Sequence, residues 1–344
     1  MVGLAYAETA VVPASVGAHK VKAWESRDGA SCESVRAVTD HSTAEPQLLV
    51  GALEIGGTHV TSALVDVRAG RLILGTVRRT SIDPHAPADE LLSDFAAAVT
   101  DAHAAPEVPW AVAIPGPFDY RRGIGLYADV GKFDALLDVN LTAGLHAALP
   151  HLNGGITFVN DADAFAIGEW RQGVMAAAAR CVGITLGSGV GSSFLDNGVP
   201  VTAGPTVPPN GRAHQLKIGT TDLEDVVSRR AILARYLAGP DVRRTPGLDV
   251  REVFERSRGG DAWATQVLQD AFRALGSALA PWFTRFEATA VAFGGAMIGS
   301  WDLILPPFRS GLTDAGAPID IGLLPSVDTE RSALVGAATH THPL

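Results

Sequence analysis

The sequence predicts an α/β protein folded as two similar lobes around a central cleft. Three observations point there. Apolar runs of strand length alternate with stretches of helical period. A unit of strand, glycine turn and strand occurs twice, at 48–67 and at 182–195, each time followed by helices. A chain of 344 residues, 47% of them apolar, is long enough for two domains of ordinary size with buried sheets.

Residues 1–46 mix Ala, Ser, Thr, Val and His without a sustained period and read as a poorly ordered N-terminal extension. They lack the adjoining amphipathic helices of a DNA-reading module. From 47 onward strands are expected at 48–54, 60–67 and 71–77, joined by turns at Gly56-Gly57 and at 68–70. A helix over 87–104 and a strand over 109–114 follow, and a strand at 155–159 feeds a helix starting near Ala162. The pattern then repeats with strands at 182–186 and 192–195, helices near 222–237 and 261–286, and a strand at 288–293. A helix after Gly299 and an Ala-rich helix near 330–339 complete the series. The first lobe is expected over 47–160, completed by the C-terminal helix within 330–344, and the second over 161–329.

Composition removes several classes of partner. The net charge is -10 and the isoelectric point near 5.4, with no Lys/Arg run to hold a phosphate backbone or an anionic membrane surface. No nucleic acid and no membrane partner is expected. Two cysteines, Cys32 and Cys181, are too few for a disulfide framework or a Cys-rich zinc site. No apolar stretch approaches the roughly 20 residues that span a bilayer, and no signal core opens the chain, so the protein reads as cytoplasmic.

Four short motifs fall at strand ends. Glu54-Ile55-Gly56-Gly57-Thr58 lies between the first two strands. Paired glycines admit an anion close to the backbone, and Thr58 and the loop N–H groups can donate to phosphate oxygens. Glu54 at the strand end can hold Mg²⁺ through water. The same string also serves as a plain hairpin turn. Its counterpart in the second lobe carries Gly187, Ser188 and Gly189, and two such turns at equivalent lobe ends are what clamping a polyphosphate from both sides requires. In the third motif, Asn160-Asp161-Ala162-Asp163, a strand ends and a helix begins. Asn and Asp are favoured helix caps, whereas Asp161 facing the cleft would take the proton of an attacking hydroxyl; both readings stand. The fourth, Gly294-Gly295 after an apolar strand, offers a turn against which a flat adenine ring could lie.

In this order the motifs resemble the ROK family of sugar kinases and related repressors. The resemblance runs from about 49 to 338, supported by Ile114-Pro115-Gly116-Pro117, by Gly168-Glu169, by the stretch from Thr185 to Asn197-Gly198, and by Leu334-Val335-Gly336-Ala337-Ala338. It implies a two-lobed actin-like, ribonuclease H-like sugar-kinase fold that transfers phosphate from ATP with Mg²⁺ to a hydroxyl of a small sugar-like acceptor. It further implies that Asp161 is the base and that Asn160 orients the acceptor. Gly56, Gly57, Thr58, Gly187, Ser188 and Gly189 would line the phosphate path, and Gly294 and Gly295 would lie by the nucleoside. Asp129 and Glu224 would complete the acceptor site, and a homodimer is expected.

The departures concern the acceptor. Family members usually carry Gly-Glu-x-Gly-His, whose Glu and His contact sugar hydroxyls and whose His often joins a cysteine cluster on structural zinc. Here the nearest stretch is Gly211-Arg212-Ala213-His214-Gln215. Without a gap Arg212 stands for Glu and Gln215 for His; with a one-residue slip His214 keeps the imidazole. The cysteine cluster is absent, so no zinc site is expected. Asp163 stands where the family usually has Asn. Leu223-Glu224 with Ser228 still resembles a sugar-contacting segment. An altered Glu/His segment argues for a C7 cyclitol or carbasugar phosphorylated on its exocyclic hydroxymethyl group, in carbohydrate or cyclitol metabolism linked to antibiotic biosynthesis. Glucose, another hexose or an amino sugar is the alternative acceptor, and a non-catalytic sugar-binding regulator the alternative role.

Overall fold

The computed structural model describes residues 47–240, 247–318 and 320–341; the expectations for 1–46, for Cys32 and for 342–344 lie outside the described residues. Among them, no helix is long and apolar enough to cross a membrane.

The first sheet is built from β1 (Leu49–Ile55), β2 (His59–Asp66), β3 (Arg71–Leu72), β4 (Arg78–Ser81), β5 (Trp110–Ile114) and β8 (Ile156–Asn160). Its order is β3-β2-β1-β5-β8, with β4 also on β2. β1 and β2 form an antiparallel hairpin, and β5 and β8 run parallel to β1 and to each other. α1 (Ala88–Asp101) connects β4 to β5, and the short hairpin of β6 (Phe118–Asp119) and β7 (Ile124–Gly125), followed by α2 (Leu141–Ala148), lies between β5 and β8 in sequence.

The second sheet repeats the plan. β9 (Arg180–Leu186) and β10 (Val190–Asp196) form the hairpin, and β14 (Ala290–Gly294) and β15 (Gly322–Pro325) run parallel beside β9. β11 (Val199–Pro200) edges it, while β12 (Lys217–Ile218) and β13 (Thr221–Asp222) form a separate ribbon. The helices of this half are α3 (Asp161–Gln172), α4 (Glu224–Val227), α5 (Arg229–Leu237), α6 (Val250–Arg258), α7 (Ala262–Phe286) and α8 (Trp301–Asp314), and α9 (Thr329–Thr341) follows.

Period-two alternation assigns the faces of the first sheet. Trp110, Val112 and Ile114 join Leu53, Ile55, Phe95 and Leu145 under α1 and α2. The intervening Ala111 and Ala113 join Val50, Ala52, Ala164, Leu334 and Val335 on the other face, under α3 and α9. Large side chains fill one layer, and small ones let two helices settle close on the other. α3 also packs by Phe165, Ala166 and Ile167 against Cys181 and Ala292 of the second sheet, so it lies between the sheets. Its crossing with α9 is tight: a Cβ on Gly168 would strike the Ser332 backbone, and one on Gly336 the Ala164 carbonyl.

Two expectations need correction. The strand at 71–77 is broken: after Leu72 the Thr76 hydroxyl takes the Leu64 N–H at 3.0 Å in place of a ladder partner, the chain passes Gly75 at φ 84, and pairing with β2 resumes only at β4. The helical stretch at 222–237 is divided at Ser228, whose ψ of 157 is extended and whose hydroxyl caps α5.

Candidate active site

The two glycine turns face each other. In the first, the Gly56 N–H donates to the His59 carbonyl at 2.9 Å, and in the second the Gly187 N–H donates to the Gly189 carbonyl at 3.0 Å. A Cβ on Gly57 would stand 3.4 Å from Ser188 Oγ, so turns from different sheets approach at the ends of β1 and β9. Both leave backbone N–H groups near one small volume, which suits a polyphosphate. Gly294 pairs with Thr185 across β14 and β9, which sets the third glycine motif beside the second turn. These glycines have packing reasons as well: Gly295 has φ 92, and a Cβ on Gly294 would lie 2.6 Å from the Phe165 ring.

At the end of β8 the cap of α3 is visible in the hydrogen bonds. The Asn160 Oδ1 accepts from the Ala162 and Asp163 N–H groups at 3.1 and 3.3 Å, which makes Asn160 the cap of α3. Its Nδ2 donates to the Tyr120 hydroxyl at 2.9 Å, which in turn donates to the Ile114 carbonyl at 3.2 Å. Asp161 is half-buried, with Oδ1 accepting from the Ala162 N–H at 2.8 Å. Among the described residues its second oxygen has no hydrogen-bond partner. Burial, and then the Asp161 charge, push the Tyr120 phenol up, so Tyr120 stays a neutral donor next to the carboxylate.

Asp163 is held differently. Arg212 reaches it from the opposite segment, with Nη2 at 2.8 Å from Oδ2. A second carboxylate beside Asp161 is therefore already neutralised.

Of the remaining acceptor candidates, Glu224 opens α4 and its Oε2 accepts from the Val190 N–H at 3.1 Å, just after the second glycine turn. A Cβ on Gly189 would lie 2.5 Å from that oxygen. His214 is half-buried, whereas Gln215 is exposed. Burial pushes the His214 imidazole down against the opposing pull of Glu224, with Arg212 lowering it further and Asp161 within range. Asp129 lies exposed on the loop after β7 at φ 55, and among the described residues no hydrogen bond or ion pair holds it.

Glu54 fits a cation reached through water, because its Oε2 is buried with no hydrogen-bond partner. Burial pushes its carboxyl up to about 7; His59 and Arg79 oppose this, and Glu330 and Asp161 add to it. One ligand atom each of Glu54, His59 and Glu330 lie within 4.8 Å of one another. Glu330 is also paired with His59 at 2.9 Å and with Arg79 at 3.0 Å. Neither Cys181 nor His214 belongs to this group. Cys181 is buried on β9, its thiol pushed up to about 12 by that burial.

Sequence reasoning missed Tyr120, which no local motif marks, and Ser192. The fully buried Ser192 hydroxyl accepts from the Ala213 N–H at 2.7 Å and donates to the Gly211 carbonyl at 2.8 Å.

The model of the ROK family matches residues 50–216 and 217–341. A glucokinase from Thermotoga maritima is 24% identical over 319 residues, covering 86% of this chain and 97% of that protein. Among solved structures, a ROK family glucokinase from Streptomyces griseus in complex with glucose and AMPPNP superposes with a TM-score of 0.68 at 22% identity, covering 85% of this chain and 98% of its own. A putative N-acetylmannosamine kinase from Listeria monocytogenes gives 0.66 at 19% identity, covering 85% and 98%. These likenesses show the two-lobed fold.

Proposed function

Because this chain belongs to the ROK family, we propose that it is a phosphotransferase moving the γ-phosphoryl group of ATP onto a hydroxyl of a sugar-like acceptor, with Asp161 as the base. The observation that carries the assignment is the division of labour at the start of α3. Asn160 caps the helix, and one Asp161 oxygen is left without a protein partner. A hydroxyl hydrogen-bonded there loses its proton to Asp161 as it attacks phosphorus. The N–H groups of the facing glycine turns hold the phosphate chain in line, which converts the reaction to one of positioning. Mg²⁺ bound with the nucleotide supplies charge neutralisation, and Glu54 is the residue that would hold it through water.

The favoured acceptor is a C7 cyclitol or carbasugar carrying an exocyclic hydroxymethyl group, with glucose, another hexose or an amino sugar as the alternative. Support comes from the acceptor segment, where Arg212 and His214 stand near Asp161 and present donors where a carboxylate would present acceptors. This chemistry belongs in carbohydrate or cyclitol metabolism, including antibiotic biosynthesis. A homodimer in the cytoplasm belongs to the same reading, and light scattering tests the dimer. The deciding experiment is a coupled ADP-release assay over hexoses, amino sugars and C7 cyclitols. Glucose emerging as best acceptor by a wide margin overturns the acceptor assignment. Acceptor-induced thermal shifts with no ADP release would instead make the protein a silent binder.

A further inference from the structure

The first turn of α9 touches three elements around the cleft. Glu330 Oε1 lies 2.9 Å from His59 Nε2 and also accepts from Arg79 Nη1 of β4 at 3.0 Å. His59 closes the first glycine turn. Its carbonyl accepts the Gly56 N–H, its ring lies against Gly56, where a Cβ would stand 3.5 Å from Cε1 and Nε2, and its Nδ1 is 3.3 Å from the Thr58 hydroxyl oxygen. One position earlier, Thr329 reaches the other sheet. Its Oγ1 accepts from the Gly295 N–H at 3.2 Å, and its methyl meets Gly294, where a Cβ would stand 3.0 Å from Cγ2. Successive residues of a helix point about 100° apart, which is how two neighbours serve two sheets. Ser332 ties the same turn to α3 by donating to Glu169 Oε1 at 2.8 Å. Asp328 caps it through the Arg331 N–H at 3.1 Å.

We propose that Thr329 and Glu330 are positioning residues for the nucleotide: the first turn of α9 braces the Gly56-Gly57-Thr58 turn of one sheet and the Gly294-Gly295 turn of the other at a fixed separation. This rests on the phosphotransfer reading above, with phosphates at the first turn and the nucleoside at the second. His59 and Glu330 are 24% and 30% exposed, so their pairing contributes little to stability. Its effect falls on where the backbone donors of the turn point. Such donors serve a phosphate best when they are already aimed as it arrives, and a turn released from its brace must be ordered on binding instead. A Cβ on Gly295 would strike the Leu186 backbone, so fixing Gly295 also fixes the strand end that leads into the Gly187-Ser188-Gly189 turn.

The test uses the full chain and titration calorimetry with AMPPNP and with AMP, which reads nucleotide binding apart from turnover. Glu330→Ala should weaken AMPPNP by about tenfold and AMP by less than about twofold, because AMP lacks the phosphates that meet the first turn. Thr329→Val should weaken both nucleotides by a similar factor, about fivefold, and Thr329→Ser should restore them. Glu330→Gln should stay within about threefold of the wild type, since one amide oxygen can still accept from both His59 and Arg79. The T329V/E330A double should lose less than the product of the single losses on AMPPNP, because releasing either anchor slackens the other. In the ADP-release assay Glu330→Ala should raise the KM for ATP by about tenfold and that for the acceptor by less than about twofold. Arg331→Ala, exposed on the same turn, is the control and should leave all of these unchanged. If Glu330→Ala and Thr329→Val lower Tm but bind AMPPNP and AMP as the control does, the turn is a strut and the inference falls. Losses in the double that simply multiply mean two independent contacts and overturn the brace, as does a wild type that binds neither nucleotide. A chain that shows the predicted binding pattern but releases no ADP with any acceptor sinks the phosphotransfer reading and leaves the brace standing.

Discussion

Replacing Gly336 by Ala should damage both stability and turnover, although the residue lies on α9 and touches no substrate. A Cβ there would overlap the Ala164 carbonyl and stand 2.7 Å from the Gly168 nitrogen, where real contacts essentially never fall below 3.0 Å. Both obstacles are backbone, so no side chain can turn away. The nitrogen contact alone asks α9 to retreat by a few tenths of an ångström, and the carbonyl overlap asks for on the order of 1 Å. Overpacking of this kind costs about 1–3 kcal/mol, and the gain in helix propensity from Gly to Ala returns at most about 1 kcal/mol. With two rigid backbones in contact the upper end applies, for a net loss of about 2 kcal/mol and, for a chain of this size, a fall in Tm of about 3 °C. The same shift moves α3, whose first residue is Asp161. A misplacement of about 1 Å at the reacting groups costs roughly 10²-fold in rate. Differential scanning fluorimetry and the ADP-release assay read the two effects. Gly155→Ala, with nothing within 4 Å of its Cβ, is the control and should change stability by less than about 0.5 kcal/mol. A Gly336→Ala protein with wild-type Tm and kcat would refute this account of the helix crossing.

Asp161→Asn should lower kcat by about 10²–10⁴-fold while nucleotide and acceptor binding persist; wild-type turnover in this variant removes Asp161 from the mechanism. Glu169, 1% exposed, accepts from the Ser326 and Ser332 hydroxyls and from the Val174 N–H. Its replacement by Ala should cost about 3 kcal/mol in urea denaturation, because buried donors lose their acceptor, and a loss below about 1 kcal/mol would contradict that. Glu54 is raised from 4.5 to about 7, so across that window the folded protein holds a proton that the unfolded chain has released, and stability falls as pH rises. In Glu54→Gln that segment of the Tm–pH curve should flatten; a curve of unchanged slope speaks against the burial argument. Elemental analysis of protein purified without added metal should find no stoichiometric zinc, and zinc lost together with the fold on chelation would reverse this expectation.

What the sequence made legible was what neighbouring residues decide together. The hairpins around Gly56-Gly57 and Gly187-Ser188-Gly189 were visible because turn chemistry and strand alternation are local signals. The partner of each polar group was not. Arg212 meets Asp163 across 49 positions, Asn160 meets Tyr120 across 40, and Glu224 meets the Val190 N–H across 34, and no window of residues carries such a pairing. The identity of the cap at α3 escaped for a finer reason: Asn160 and Asp161 are both capable, and which one serves depends on where β8 stops. The break at 73–77 was hidden because Thr76, a good strand former, acts there through its hydroxyl instead of its backbone.

The face of the first sheet lined by Val50, Ala52, Ala111 and Ala113 is covered by Leu334, Val335, Ala337 and Ala338 of α9. The strands leave the ribosome early and their cover is synthesised last. Until then a sheet whose far layer is already packed exposes a strip of Val and Ala to solvent, with α3 as an early neighbour through Ala164. Contacts between distant chain positions close late and slowly, so the nascent chain waits in a form that invites chaperones and sheet-edge association. Protein lacking α9 should therefore collect in inclusion bodies even though every residue of both glycine turns and the Asp161 motif is intact.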